Sequence, residues 1–142
     1  MIVGFVGSGS MAAAIARGWA GEFERMLFSD SGSGRAADLA RELGGEEVRN
    51  EEIAERADFV VLAVKPAALD TVSPDLASAR RLVSVLAAIP VARLEAAFPE
   101  AEVLRAMPNV GVEVRRGVLC VAGSAAAEVR EKLDLLGHVV EI

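Results

Sequence analysis

A glycine-rich segment near the start of the chain carries residue types that bind phosphate groups. The apolar run from Ile2 to Val6 is followed directly by Gly7-Ser8-Gly9-Ser10-Met11-Ala12, which matches the pattern GxGxxA. The first glycine permits a sharp turn, the second lets a pyrophosphate approach the backbone, and the alanine lets the next helix pack closely. A helix beginning at Ser10 would direct free N–H groups at the phosphates. The pattern predicts a dinucleotide site, and it leaves a simple flexible loop open as the alternative.

This segment requires a strand before it and a helix after it. Met11, Ile15, Gly18 and Trp19 recur at helical spacing and would form one packing face. Farther along, short β-rich runs alternate with helical patterns, which is typical of βαβ units. We therefore predict an α/β fold in one domain spanning residues 1–142, a Rossmann-like doubly wound, mostly parallel sheet with helices on both faces.

The elements follow from the same patterns. Strands are predicted at residues 2–6, 26–29, 47–49, 59–64, 82–86, 103–106, 118–122 and 138–142. Helices are predicted at residues 10–20, 34–43, 51–56, 91–98 and 125–136, with Asn50, Pro90 and Ser124 as starts.

Composition excludes several classes of function. The 142 residues are 53% hydrophobic, so a core can form, and the net charge of −6 without a basic run argues against a nucleic-acid partner. The apolar stretches are shorter than the about 20 residues of a membrane span, and we expect a cytoplasmic protein without a membrane partner. The single cysteine, Cys120, excludes an internal disulfide and is predicted to be a buried strand thiol.

The sequence predicts neither a catalytic side chain nor a metal site. His138 is the only histidine, and no metal-ligand spacing occurs. Hydride transfer does not require an acid–base set, because a nicotinamide carries the chemistry and the protein supplies position and electrostatics.

The loop after the second predicted strand is expected to meet an adenosine ribose, since ligands of doubly wound sheets bind at the carboxyl ends of strands. It reads Ser29-Asp30-Ser31-Gly32-Ser33-Gly34-Arg35, and Asp30 lies 21 residues after Gly9, where an acid would bind the ribose hydroxyls of NAD. Arg35 and the serines instead suit the 2′-phosphate of NADP, provided that Asp30 turns outward. The spacing leaves both cofactors open, as well as a merely solvated loop.

Three later strand ends complete the predicted site. The segment Leu62-Ala63-Val64-Lys65-Pro66 ends an apolar strand with one of only two lysines in the chain, expected beside the middle of the cofactor or else simply at the surface. Small residues in Ala87-Ala88-Ile89-Pro90 and the amide of Asn109 could bracket a nicotinamide ring. Asn109 could equally cap a turn after Pro108.

Three motifs together resemble the N-terminal domain of the pyrroline-5-carboxylate reductase family. They are Gly4-Phe5-Val6-Gly7-Ser8-Gly9-Ser10-Met11, Leu62-Ala63-Val64-Lys65-Pro66 and Arg105-Ala106-Met107-Pro108-Asn109, in the family's order and spacing. The resemblance implies a reductase, with NADP(H) favoured and NAD(H) possible, that transfers hydride to the C=N bond of 1-pyrroline-5-carboxylate in proline biosynthesis.

The resemblance also assigns cofactor contacts to positions in this chain. The pyrophosphate would lie on residues 8–11, the adenosine end on residues 29–33 and 50, and the nicotinamide half on residues 63–66 and 109. Together with the loop analysis, the expected cofactor-binding residues are Gly7, Ser8, Gly9, Ser10, Met11, Ser29, Asp30, Ser31, Ser33, Arg35, Asn50, Ala63, Val64, Lys65, Pro66, Ala88 and Asn109.

The sequence departs from the family pattern in its motifs and in its length. The family usually has asparagine at Ser10, glycine at Ala88 and Thr-Pro at Val110-Gly111. The family's helical second domain, which dimerises and supplies most of the substrate pocket, has no counterpart in these 142 residues. We therefore expect weak or no activity from the chain alone, a small imino-acid substrate only when a second domain is supplied, and self-association through an uncovered apolar surface.

Two other functions stay open at the level of sequence. One is a noncatalytic nucleotide-binding or interaction module, favoured by the altered residues Ser10, Ala88 and Val110. The other is a different reductase built on the same domain, such as one that uses a deazaflavin or acts on a hydroxy acid.

Overall fold

The structure, a computed structural model, describes all 142 residues. They form one eight-stranded sheet with helices on both faces. The strands are β1 (Ile2–Val6), β2 (Arg25–Ser29), β3 (Glu46–Glu47), β4 (Phe59–Leu62), β5 (Arg81–Ser84), β6 (Glu102–Met107), β7 (Gly117–Gly123) and β8 (Gly137–Glu141). The α-helices are α1 (Ser10–Gly18), α2 (Arg35–Leu43), α3 (Asn50–Arg56), α4 (Leu69–Val72), α5 (Val91–Ala97) and α6 (Ala127–Asp134). Three 3₁₀ helices lie at Pro66–Ala68, Ser73–Leu76 and Val110–Val114.

The strand order places a crevice beside β1. The sheet runs β3-β2-β1-β4-β5-β6-β7-β8, and every neighbouring pair is parallel except β6 with β7. The chain crosses from β1 to β2 on one side and from β4 to β5 on the other, so the loops after β1 and β4 leave the sheet in opposite directions. The predicted fold class, a doubly wound and mostly parallel sheet, is confirmed.

Two apolar clusters hold the sheet between its helices. On one face, Phe5 stacks on Phe28, and Trp19 at the end of α1 meets Phe59 edge-on at 5.7 Å between ring centroids. Buried side chains of α2 and α6 complete that cluster. On the other face, α3, α4 and α5 contribute side chains such as Ile53 and Leu94. Because both faces of the central strands are buried, the loops at their carboxyl ends begin from fixed positions.

Helix α1 is anchored at its far end. Trp19 is fully buried, and its indole N–H donates to the carbonyl of Lys132 at 2.7 Å. At Gly18 a side chain would lie 2.2 Å from the carbonyl oxygen of Val112, so α1 packs there backbone to backbone. The helix ends at Gly18, two residues earlier than predicted, and the Gly18 carbonyl accepts a hydrogen bond from Arg115 Nε at 2.7 Å.

On one face of the sheet, the end of β6 and the neighbouring parts of β7 and β8 are only partly covered. Met107 is paired in register with Cys120, and Cys120 with Val140, so these side chains share that face. Met107 and the nearby Val118 are 39% and 44% exposed. The Cys120 thiol was predicted to be buried, but Cys120 is only half-buried. Self-association through this face stays a prediction. None of the helices is long and apolar enough to span a membrane.

Several predicted boundaries were wrong. Strand β3 occupies residues 46–47 where 47–49 was predicted, and α6 begins at Ala127 with Ala126 at its cap, not near Ser124. Strand β4 ends at Leu62, two residues earlier than predicted. The next residue, Ala63, lies directly against the backbone of Gly7. Residues 66–76 form three short helical pieces that sequence reasoning did not predict. Pro66 begins the first piece, and Pro74 lies in the first turn of the last piece, where it interrupts a longer helix.

Candidate functional site

The glycine turn after β1 is fixed by the close approach of a second loop. Gly7 has a φ of +96°, and its N–H donates to the carbonyl of Ser29 at 3.1 Å. A Cβ atom at Gly7 would lie 2.5 Å from the carbonyl oxygen of Ala63. Both the backbone conformation and the lack of space therefore require glycine at this position. The turn is packed directly against the segment that begins at Ala63.

Gly9, two residues later, faces open space. Its φ is −78°, which other residues also adopt, and a Cβ atom there would approach only the Arg35 guanidinium, with Nη1 at 3.9 Å. No side chain caps α1, so the N–H groups of its first turn have no side-chain acceptor. An open space between free helix N–H groups and a guanidinium suits a phosphate group.

Three predicted residues, Ser8, Ser29 and Asn50, are joined in one hydrogen-bond network. Ser8 Oγ is buried and donates to the Ser29 carbonyl at 2.8 Å. Ser29 Oγ donates to Asn50 Oδ1 at 2.6 Å, and Asn50 Nδ2 donates to Asp75 Oδ2 at 3.1 Å. Sequence reasoning missed Asp75, because it lies in an unpredicted 3₁₀ helix and belongs to no motif.

The carboxylate of Asp30 is turned back into its own loop. Its Oδ2 accepts the Ala36 N–H at 2.8 Å and its Oδ1 accepts the Gly32 N–H at 2.7 Å. The hydrogen bond from Ala36 is the largest cause that lowers the pKa of Asp30 below its ordinary value. Asp30 therefore caps the N-terminus of α2, while Ser31, Ser33 and Arg35 in the same loop are exposed.

A polar groove of about 520 Å³ lies beside this loop. Its volume is in the range of small-molecule sites. It lies at the carboxyl ends of β2 and β3, and Val48 is its one hydrophobic residue. Of its lining, the sequence predicted only Ser29, Asp30 and Asn50 as site residues, and it missed Glu47, Arg49 and Glu51. The complete lining is Ser29, Asp30, Gly32, Glu47, Val48, Arg49, Asn50 and Glu51.

The other predicted residues lie at the carboxyl ends of β4, β5 and β6. Lys65 is exposed and makes no ion pair, which leaves its ammonium group free for a ligand. Ala88, where glycine is usual in the resembled family, has a φ of +62°, a conformation that favours glycine. Asn109 precedes the 3₁₀ helix Val110–Val114 but its side chain does not cap it, and its Oδ1 instead accepts the N–H of Val118 in β7 at 3.2 Å.

Comparison with known proteins shows the family. A family model described as NADP oxidoreductase, coenzyme F420-dependent, matches residues 2–88. The chain belongs to this family. It is also 34% identical to the pyrroline-5-carboxylate reductase of Pseudomonas aeruginosa, over an alignment that covers 96% of this chain and 55% of that protein. The resemblance to the pyrroline-5-carboxylate reductases is confirmed.

Solved structures agree with this family. A crystal structure of 1-pyrroline-5-carboxylate reductase from Streptococcus pyogenes has a TM-score of 0.88 at 26% identity, covering 100% of this chain and 58% of that one. A pyrroline carboxylate reductase of Plasmodium falciparum, solved with NADP bound, shares the fold with a TM-score of 0.84 at 22% identity, covering 100% and 57%. The chain thus spans about half the length of the reductases it matches. The individual cofactor contacts stay predictions.

The approach of Gly7 to Ala63 predicts a large stability cost for a side chain at residue 7. Gly7→Ala should lower the free energy of unfolding by about 1–3 kcal/mol more than Gly21→Ala, measured by urea denaturation. Gly21 is the matched control, because it has a φ of +82° but no atom within 4 Å of the added Cβ, so only backbone strain is incurred. Equal losses would contradict a rigid contact between the two loops.

The lowered pKa of Asp30 predicts a pH-dependent contribution to stability. Because the native pKa lies below the unfolded one, the contribution is fully present above about pH 4 and is lost as the pH falls through the native pKa. Asp30→Ala should cost about 1 kcal/mol at pH 7, typical of a lost helix cap, and less at pH 3. Glu95→Ala, which removes an exposed acid without a partner, is the control. The same loss at both pH values would show that the carboxylate charge does not stabilise the cap.

Proposed function

We propose that this chain is the NADP(H)-binding domain of a pyrroline-5-carboxylate reductase. In this reaction, hydride passes from the reduced nicotinamide to the C=N carbon of 1-pyrroline-5-carboxylate and gives L-proline. The observation that carries the cofactor part is the open space at Gly9, between the uncapped N-terminus of α1 and the Arg35 guanidinium. Family membership and the similarity to the Pseudomonas reductase support the reaction.

The adenosine end is proposed to occupy the groove beside Ser29 and Asn50. Its 2′-phosphate would meet the exposed side chains of Ser31, Ser33 and Arg35. Both oxygens of Asp30 accept backbone N–H groups, those of Gly32 and Ala36, so the carboxylate is turned into its own loop. The guanidinium therefore favours NADPH over NADH. The family description, an NADP oxidoreductase, agrees with this choice.

The nicotinamide half is proposed to lie along residues 63–66, Ala88 and Asn109. The bound nicotinamide supplies the hydride, and this chain supplies positioning. Ala63 is held by the glycine turn, and Lys65 presents an unpaired cation next to it. No side chain of this chain is assigned an acid–base role. The imino-acid pocket is proposed to need a second domain, so the chain alone should be weakly active or inactive.

The space at Gly9 predicts a binding-specific variant. Gly9→Val should leave the fold intact, because its backbone conformation suits valine and the added Cβ meets only the flexible end of Arg35. The valine side chain would occupy the pyrophosphate space, and NADPH affinity should fall at least about 100-fold by calorimetry, or about 2.7 kcal/mol. Ala96→Val, on the exposed side of α5, is the control and should bind normally. Retained affinity in Gly9→Val would reject the proposed site.

The assignment of Arg35 predicts the choice of cofactor. Wild-type protein should bind NADPH more tightly than NADH, and Arg35→Ala should weaken NADPH binding about tenfold more than NADH binding, a difference of about 1.4 kcal/mol, because NADH lacks the 2′-phosphate. Arg80→Ala, which removes an exposed arginine without an ion pair, is the control. Equal weakening of both cofactors would place Arg35 at the pyrophosphate instead. If neither cofactor binds the wild type, the proposed function fails and the noncatalytic alternative replaces it.

A further inference from the structure

We propose that Asp75 is a positioning residue for the adenosine end of the cofactor, an inference that rests on the proposed function. Asp75 is not among the residues that line the groove. It lies behind the groove wall, in the 3₁₀ helix Ser73–Leu76, and acts through Asn50.

The chemistry of Asp75 sets the orientation of the Asn50 amide. An ionised carboxylate only accepts hydrogen bonds, so it must face the NH₂ group of Asn50, and Asp75 Oδ2 lies 3.1 Å from Nδ2. Asn50 Oδ1 then faces Ser29 Oγ at 2.6 Å. The two ends of an asparagine amide have nearly the same shape, so without Asp75 either orientation would fit the space. Asp75 selects one of them.

The selected orientation determines what the groove wall offers to a ligand. Ser29 Oγ has one hydrogen and donates it to Asn50, so the hydroxyl retains only lone pairs as acceptors. Asn50 retains one N–H after its bond to Asp75. Both residues line the groove. A ribose or adenine, which carries donors as well as acceptors, is the kind of ligand that such a mixed wall would bind.

The same network reaches the glycine turn. The Ser29 carbonyl accepts the Gly7 N–H at 3.1 Å and the Ser8 hydroxyl at 2.8 Å. Ser29 therefore holds the turn with its main chain and Asn50 with its side chain. Because the turn is held by the Ser29 carbonyl and not by its hydroxyl, a change at Asp75 should act on the adenosine end and leave the glycine turn in place.

The position of Asp75 is fixed by packing and does not require a ligand. The neighbouring Leu76 is 1% exposed and belongs to the same apolar cluster as Ile53 of α3, the helix that begins with Asn50. The groove is already bordered by Asp30, Glu47 and Glu51, so one more negative charge would not favour a phosphorylated ligand. The useful property of Asp75 is therefore that its carboxylate only accepts hydrogen bonds, which fixes the orientation of the Asn50 amide.

The test compares Asp75→Ala, Asp75→Asn and wild type in calorimetric titrations with NADPH and with 2′,5′-ADP, which contains only the adenosine end. Asp75→Ala should weaken both ligands by the same factor of about ten, because one orienting hydrogen bond is lost. Asp75→Asn should weaken both ligands as well, by no more than Asp75→Ala, because an amide can present either its oxygen or its NH₂ group to Asn50 and therefore no longer selects one orientation. Asn50→Ala alone should cause at least the same loss, because Asn50 itself lines the groove, and adding Asp75→Ala to it should cause no further loss.

The outcomes separate this inference from the function on which it rests. NADPH binding by wild type with unchanged affinity in Asp75→Ala overturns the inference alone. Wild-type affinity in Asp75→Asn also overturns it, because an acceptor-only carboxylate would then not be needed to orient Asn50. Additive losses in the double variant would show that Asp75 does not act through Asn50. Absence of binding by the wild type overturns the proposed function and this inference with it.

Discussion

The site depends on the contact between the backbones of Gly7 and Ala63. Parallel pairing of β1 with β4 brings the ends of these strands together, and the turn after β1 passes so close to Ala63 that a Cβ atom at Gly7 would lie 2.5 Å from its carbonyl oxygen. This approach fixes where α1 begins and therefore where its free N–H groups point. It also joins the two segments proposed to hold the pyrophosphate and the nicotinamide half. The hydrogen bonds of the site add to a position of the two loops that the pairing of β1 with β4 already imposes.

Local electrostatics, and not net charge, make this acidic protein suited to a phosphate ligand. The chain carries a net charge of −6, and acids border the groove at the end of β2. Asp30, however, directs its charge toward the N-terminus of α2, while the N-terminus of α1 has no capping side chain and faces Arg35. The backbone N–H groups at the start of α2 thus have an acceptor within the protein, and those at the start of α1 are left for a ligand. Ser31 and Ser33, in the loop between β2 and α2, add exposed hydroxyl groups.

Sequence reasoning succeeded where the determinant is local. The GxGxxA pattern, the buried strands and the positions of most helices follow from periodicity and backbone preference, so the fold class and the glycine turn could be predicted. Asp75 could not, because its role arises from the packing of a 3₁₀ helix against α3, and no spacing in the sequence encodes that contact. Arg49 was predicted as a strand residue but lies beyond β3, which ends at Glu47, and no motif marks Glu47 or Glu51. Cys120 was misjudged because its burial depends on whether another element covers its side of β7, which a strand pattern does not reveal.

The most direct test of the central claim, that a nicotinamide dinucleotide lies across the carboxyl ends of β1, β2 and β4, is hydrogen–deuterium exchange of the chain with and without NADPH. The structure predicts slower exchange in residues 7–13, 29–36 and 63–66, where free backbone N–H groups and loop amides would be covered. The groove at the opposite ends of the strands, bordered by Ser73, Ala97 and Glu100, should be unaffected. Slower exchange confined to that opposite groove, or no change anywhere at saturating NADPH, would contradict the claim.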